Sequence, residues 1–246
     1  MSQNLITQEF GIIIAAKNHN PAILNPDFLK YSGIVPQEWE LVQQPISTQN
    51  LSQLAFTNGI MIVAEPTRVI FIEAIEQKAI KEITVAEIAK KYVQTLPNIQ
   101  YEGVGLNPRG YISFEQQSAA SQYLVKTLLS GGDWQSLGTA PMRATLNLVY
   151  TLERCPFYLT VSEAALRNPD ESNIPIVLFN GSFSYEVKSE TPLQRVTNLH
   201  QIIDNWQTDL SNYQEIINTK FLADLAAQKT VISDHLILNS DTSIAA

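Results

Sequence analysis

The chain has a single cysteine, Cys155, among its 246 residues, so no disulfide can close within it. Its three histidines, His19, His200 and His235, lie far apart. There is no His-Glu-x-x-His and no Cys-x-x-Cys, so no metal site and no cofactor is expected. Charge is scarce: charged residues make up 16% of the chain, with 24 acidic against 16 basic and a net charge of −8. An acidic protein repels a phosphate backbone on average, which argues against nucleic acid as a partner. The densest basic cluster, Lys78, Lys81, Lys90 and Lys91, is interleaved with Glu82 and Glu87 and reads as a solvated helix face. Long apolar runs are missing too. Gly11–Ala16 falls far short of the ~20 residues that a membrane-spanning helix needs. Met1–Ile6 lacks the charged and apolar regions of a signal peptide. A cytoplasmic protein with no membrane span is the expectation.

Catalytic signatures are also absent. Gly-x-Ser-x-Gly and Gly-Lys-Ser/Thr do not occur, so neither a hydrolase elbow nor a phosphate-cradling loop is supported. Gly103-Val104-Gly105 begins like a dinucleotide loop, but Pro108 stands where the third glycine would be. Cys155 has no base nearby in sequence beyond Arg154, and a nucleophilic thiol needs one. The acidic pairs Glu73/Glu76 and Asp170/Glu171 read as solvated charge. The balance leans away from an enzyme.

What the chain does have is apolar material, 45% of its residues, enough for a sizeable core. Period-two alternation runs through Met142–Glu153. Met142, Ala144, Leu146, Leu148, Tyr150 and Leu152 take one face, which predicts a strand with one buried and one wet side. Further strands are predicted at Glu9–Ala16, Trp39–Gln44, Leu51–Phe56, Ile60–Ala64, Arg68–Ile75, Ile99–Leu106 and Tyr111–Phe114. Phe157–Val161, Ile174–Phe179 and Phe183–Val187 complete the set. Asn107–Gly110 reads as a tight turn, and Asn180-Gly181 as a bulge or turn. Helices are predicted after Asn25-Pro26, after a Thr84–Glu87 capping box, and over Ser118–Ser130. Pro192–Ala227 has no glycine and no proline after its first residue. Val196, Leu199, Ile203, Trp206, Leu210, Tyr213 and Ile217 repeat there at three- and four-residue spacing, an a/d seam on one long helix. Such a helix would be about 50 Å long, at a rise of ~1.5 Å per residue. The fold class is therefore α+β: a mostly antiparallel sheet, helices on one face, and a long C-terminal amphipathic helix. It reads as one domain over residues 1–246, with Gly131–Pro141 as the candidate seam between subdomains.

Asn20–Leu41 (NPAILNPDFLKYSGIVPQEWEL) and Tyr101–Pro108 (YEGVGLNP) resemble a group of uncharacterised bacterial proteins of about this length, cyanobacterial ones among them. The resemblance implies a bacterial, cytoplasmic protein. It carries no catalytic residue across, because the shared positions are prolines, glycines, asparagines and a tryptophan at turns and strand ends.

Two functions follow. The first is a non-enzymatic assembly protein, which pairs with itself or with another protein through Trp206, Leu210, Tyr213 and Ile217 of the seam and Ile237 of the apolar segment 231–238. That segment is expected to dock rather than trail free. The alternative is a small-ligand-binding protein or enzyme with a pocket between the sheet and the C-terminal helix. Arg143, Thr145 and Asn147 on the polar face of the best strand would then contact the ligand, with Arg109 at a turn tip as a further cation.

Overall fold

The computed structural model describes residues 4–167, 172–189, 191–223 and 225. Among these residues nine strands pair antiparallel in one sheet: β1 (Ile6–Lys17), β2 (Ile46–Ser47), β3 (Ser52–Ala55), β4 (Ile60–Glu65), β5 (Arg68–Ala74), β6 (Gln100–Ser113), β7 (Thr145–Thr151), β8 (Pro156–Arg167) and β9 (Asn173–Glu186). Their order is β2-β3-β4-β5-β1-β6-β9-β8-β7, so the sheet runs unbroken past residues 131–141. Five α-helices accompany it among the described residues: α1 (Pro26–Tyr31), α2 (Val85–Thr95), α3 (Gln117–Gln122), α4 (Pro192–Asp204) and α5 (Trp206–Ile216). The α+β class and the antiparallel sheet agree with the alternation in the sequence. No described helix is long and apolar enough to cross a membrane.

Parity decides which side of the sheet is covered. Phe10, Ile12 and Ile14 of β1, Val69 and Phe71 of β5, Val104 and Leu106 of β6, and Phe179 and Phe183 of β9 are all buried. They share one face, and α2, α4 and α5 lie on it: Tyr92 meets Phe71 at 5.3 Å and Trp206 meets Phe10 at 5.4 Å between ring centres. The opposite face carries Ile13, Ile70 and Ile72, all half-buried.

The expected long helix is two helices. The chain leaves helical geometry at Asn205 (φ −87°, ψ 9°), whose side-chain amide donates to the Gln201 carbonyl. The seam survives the break. Val196, Leu199, Ile203, Trp206, Leu210, Tyr213 and Ile217 are all buried within the chain. The expected segment 231–238, with Ile237, lies outside the described residues.

The predicted turn and the predicted bulge or turn are both strand interior. Asn107–Gly110 lies inside β6, and Asn180-Gly181 lies inside β9. The β6–β9 pairing lapses at Asn107 and Pro108, opposite Gly181 and Ser182, and resumes in the same register at Arg109 and Asn180. Pro108 has no N–H to give to a ladder, and Tyr213 of α5 sits over the gap. Its hydroxyl donates to the Phe179 carbonyl at 2.8 Å. Burial pushes the phenol pKa up; the facing Gly110 amide and the Arg109 charge oppose that push. Gly110 and Phe179 are paired residues of the two strands, so the hydroxyl is set into the ladder itself. Gly181 makes room for the ring: a Cβ there would lie 2.9 Å from Tyr213 Cδ2 and 3.0 Å from Phe157 Cε2.

Other differences have local causes. Trp39–Gln44 forms no strand beyond a single bridge from Leu41 to Phe56. The Met142–Glu153 strand pairs only over Thr145–Thr151, because it is the sheet edge and its hairpin to β8 begins at Leu152. The Thr84 capping box does not form. Glu73, fully buried rather than solvated, caps α2 instead. One carboxylate oxygen accepts from the Thr84 and Val85 amides, each at 2.7 Å, and the other from Lys78 Nζ at 2.7 Å. An anion at a helix N-terminus meets free N–H groups and the positive end of the dipole.

His19 is buried between β4 and α2. Nδ1 donates to the Glu65 carbonyl at 3.1 Å, which leaves Nε2 to accept from the Tyr92 hydroxyl at 2.6 Å. Burial holds its pKa below the ordinary value, against the Glu65 bond.

Two outcomes follow for stability. Tyr213→Phe leaves the Phe179 carbonyl without its side-chain donor, and should cost about 1–3 kcal/mol in urea unfolding. An unchanged midpoint would mean that the hydroxyl is not part of the ladder. For His19 the folded pKa lies below the unfolded value of about 6.5. Between those two values the unfolded chain binds a proton that the folded chain refuses. Stability contributed by neutral His19 is thus complete above pH 6.5 and is lost as pH falls towards the folded pKa. Unfolding midpoints across that window should decline in the native protein and much less in His19→Asn.

Candidate functional site

Continuing the alternation of β8 past Phe157, Leu159 and Val161 brings Glu163 onto the covered face of the sheet. Its side chain is only 2% exposed. It stands at the end of β8 that β7 does not reach, since their pairing stops at Ser162 and Thr145. There α3 and the turn that continues it, Tyr123–Leu128, lie over the sheet. Ala120, Tyr123 and Leu124 anchor them in the core. The polar side of α3 faces Glu163: Oε2 accepts from Gln117 Nε2 at 2.7 Å and from Ser121 Oγ at 2.9 Å. Arg143 Nε approaches the same oxygen at 3.5 Å. All three partners converge on one oxygen. Oε1 is buried and has no hydrogen-bond partner among the described residues.

This half-satisfied carboxylate lines a cavity of about 850 Å³. Gln117, Ser121 and Gln122 form its polar wall. Val125, Pro141 and Met142 form an apolar one, and Lys126 and Arg143 supply cations. The volume falls within the range of small-molecule sites, and so does the mixture of apolar walls with a few polar groups. A buried acceptor left bare costs about 1–3 kcal/mol, which a donor brought by a ligand would recover.

The residues expected from sequence separate here. Arg143 lines the cavity. Thr145 lines a smaller space of about 320 Å³ on the other side of the Arg143–Glu163 pair. Asn147 lines neither, and its Oδ1 accepts from Thr160 Oγ1 at 2.9 Å. The cavity lies between α3, residues 135–143 and β8, not between the sheet and the C-terminal helices. Arg109 is not at a turn tip. It sits in β6 and contacts Glu9 at 3.1 Å. Trp206, Leu210, Tyr213 and Ile217 occupy the core. Glu163 was missed although its signal was present: a charged residue at the next apolar parity of a strand.

A second polar cluster differs in kind. Asp209 of α5 accepts from Arg154 Nη1 at 3.0 Å and from the Tyr185 hydroxyl at 2.8 Å. Burial raises its pKa, while Tyr185 and Arg154 oppose the rise. Cys155 lies beside it, its thiol pushed up chiefly by burial. Both Asp209 oxygens are used, and the cluster fastens the β7–β8 hairpin to α5. A protonated, buried thiol is a poor nucleophile.

No protein-family model and no curated protein matches the chain.

Removing the Glu163 charge should not harm the fold. In Glu163→Met the desolvation of a carboxylate is relieved, Gln117 and Arg143 turn to water, and Ser121 turns its one proton to the Gln117 carbonyl, 3.1 Å away. The thermal midpoint should be equal to that of the native protein or higher. A loss of about 3–5 kcal/mol, the cost of breaking a structural buried ion pair, would assign Glu163 to the fold instead.

Proposed function

We propose that the protein binds a small organic acid that also carries a hydrogen-bond donor, such as an amino or hydroxy acid with an apolar side chain. The observation that carries this reading is the half-satisfied carboxylate of Glu163, whose Oε1 is buried and without a partner among the described residues, on a residue that lines a cavity of about 850 Å³. The ligand's donor completes that carboxylate. Its acid group is drawn to Lys126, and its apolar part rests on Val125, Pro141 and Met142. With one carboxylate among two cations at the wall, the site is complementary to a ligand with an anionic end. Ser121 donates to Glu163 and has no histidine beside it among the described residues, so the reading is binding rather than acyl transfer.

The assembly reading rests on the seam and on segment 231–238 with Ile237, which lies outside the described residues. Trp206, Leu210, Tyr213 and Ile217 would have to leave the core they fill before they could meet a partner, which favours the cavity.

Titration calorimetry with matched compounds tests the proposal: apolar 2-amino and 2-hydroxy acids, the parent acids without the donor, and the corresponding esters. Donor-bearing acids should bind the native protein. Loss of the donor should weaken binding by about tenfold to a hundredfold, the worth of a hydrogen bond to a charged group. In Glu163→Met that difference should vanish. If the donor matters equally in both proteins, or if no compound binds the native protein, the reading fails.

A further inference from the structure

The two edges of the sheet are built differently. β2 closes one end with only two residues, directly after Pro45. A short strand and a proline are two of the ways in which a sheet edge is kept from pairing with another chain. β7 closes the other end with seven residues, Thr-Leu-Asn-Leu-Val-Tyr-Thr, which contain no charge, proline or glycine. β7 pairs with β8 on one side only, and no backbone hydrogen bond from the described residues reaches its outer edge. Val149 is 64% exposed and Tyr150 37%. The period-two pattern also extends past the paired span, from Met142 to Leu152.

We propose that two copies of the chain associate through their β7 edges, antiparallel about a two-fold axis at Leu148, so that one sheet runs through both. β7 is complementary to itself in this register. Thr145 faces Thr151, Leu146 faces Tyr150 and Asn147 faces Val149 of the second copy, while Leu148 faces its own counterpart. Apolar cross-strand pairs of this kind stabilise a ladder, and no like charges meet. The flanks add charge complementarity. The same register brings Arg143 of each copy to the end of the strand where Glu153 of the other stands. The Arg143 side chain is 73% exposed in the single chain, its nearest approach to Glu163 being 3.5 Å from Nε, so it is open to such a contact. The contact is isologous and closes after two copies, because each chain offers one such edge.

The test uses the full-length protein. Sedimentation across a concentration series should give twice the chain mass. Val149→Lys puts a guarding charge into the edge twice per dimer, at a side chain outside the core, and should weaken association about tenfold or more, with a thermal midpoint unchanged at dilutions where both proteins are monomeric. Register is read by cross-linking. Directly opposed residues on paired strands lie within disulfide reach. An oxidised mixture of Asn147→Cys and Val149→Cys should therefore yield a covalent dimer much faster than either variant alone. The native Cys155 is buried and does not compete. A protein that stays monomeric at every concentration overturns the proposal. So does a dimer that ignores Val149→Lys, and so does a dimer that fails to cross-link in the mixture.

Discussion

The hydroxyl of Tyr213 sits in the β6–β9 ladder, and the helical layer is keyed to the sheet around it. Pro108 opens the ladder, Gly181 leaves the space, and the ring fills it from α5. A helix that packs only through apolar contacts can slide by a turn at modest cost. One that hydrogen-bonds to a strand carbonyl in the sheet's middle cannot, because sliding strands a buried acceptor. Trp206 on Phe10 and Leu210 in the core follow from that fixed point. α4 in turn lies against α2, where Lys90 reaches Asp204 at 2.6 Å.

Three buried acids divide into two kinds. Glu73 caps a helix with one oxygen and holds Lys78 with the other. Asp209 holds Arg154 and Tyr185. In both, each oxygen is used and the group ties one element to another. Glu163 has three partners on one oxygen and none on the other, beside open volume. A carboxylate serving only the fold would gain from sharing its donors between both oxygens. On the function proposed above, that unmet acceptor is what a ligand's donor would complete.

The cavity and the free edge are neighbours. Both arise where β7 stops short of the end of β8, and Arg143 stands between them. Its Nε approaches Glu163 at 3.5 Å, and the side chain is otherwise largely exposed. Association at β7 would set the second copy beside Arg143, which also lines the cavity, so assembly and ligand binding are expected to be thermodynamically linked through that residue.

Sequence by itself determined the fold class and most strand positions, because period-two alternation is a local property that a half-buried sheet imposes residue by residue. It also determined the seam: all seven of its residues are buried, since a helical stripe records only that something covers it. What covers it was decided by tertiary structure, which put the seam on the chain's own sheet and broke the helix at Asn205. The turn residues misled for the same reason. Asn107–Gly110 and Asn180-Gly181 carry turn chemistry, yet they lie within strands, where proline and glycine serve Tyr213 from over a hundred positions away for one and thirty for the other. Glu73 and Glu163 were legible in part, as charges at apolar parity in β5 and β8. Whether such a charge caps a helix or faces a cavity depends on which helix arrives above it. No local pattern encodes that, because α2 and α3 are placed by the packing of the whole layer.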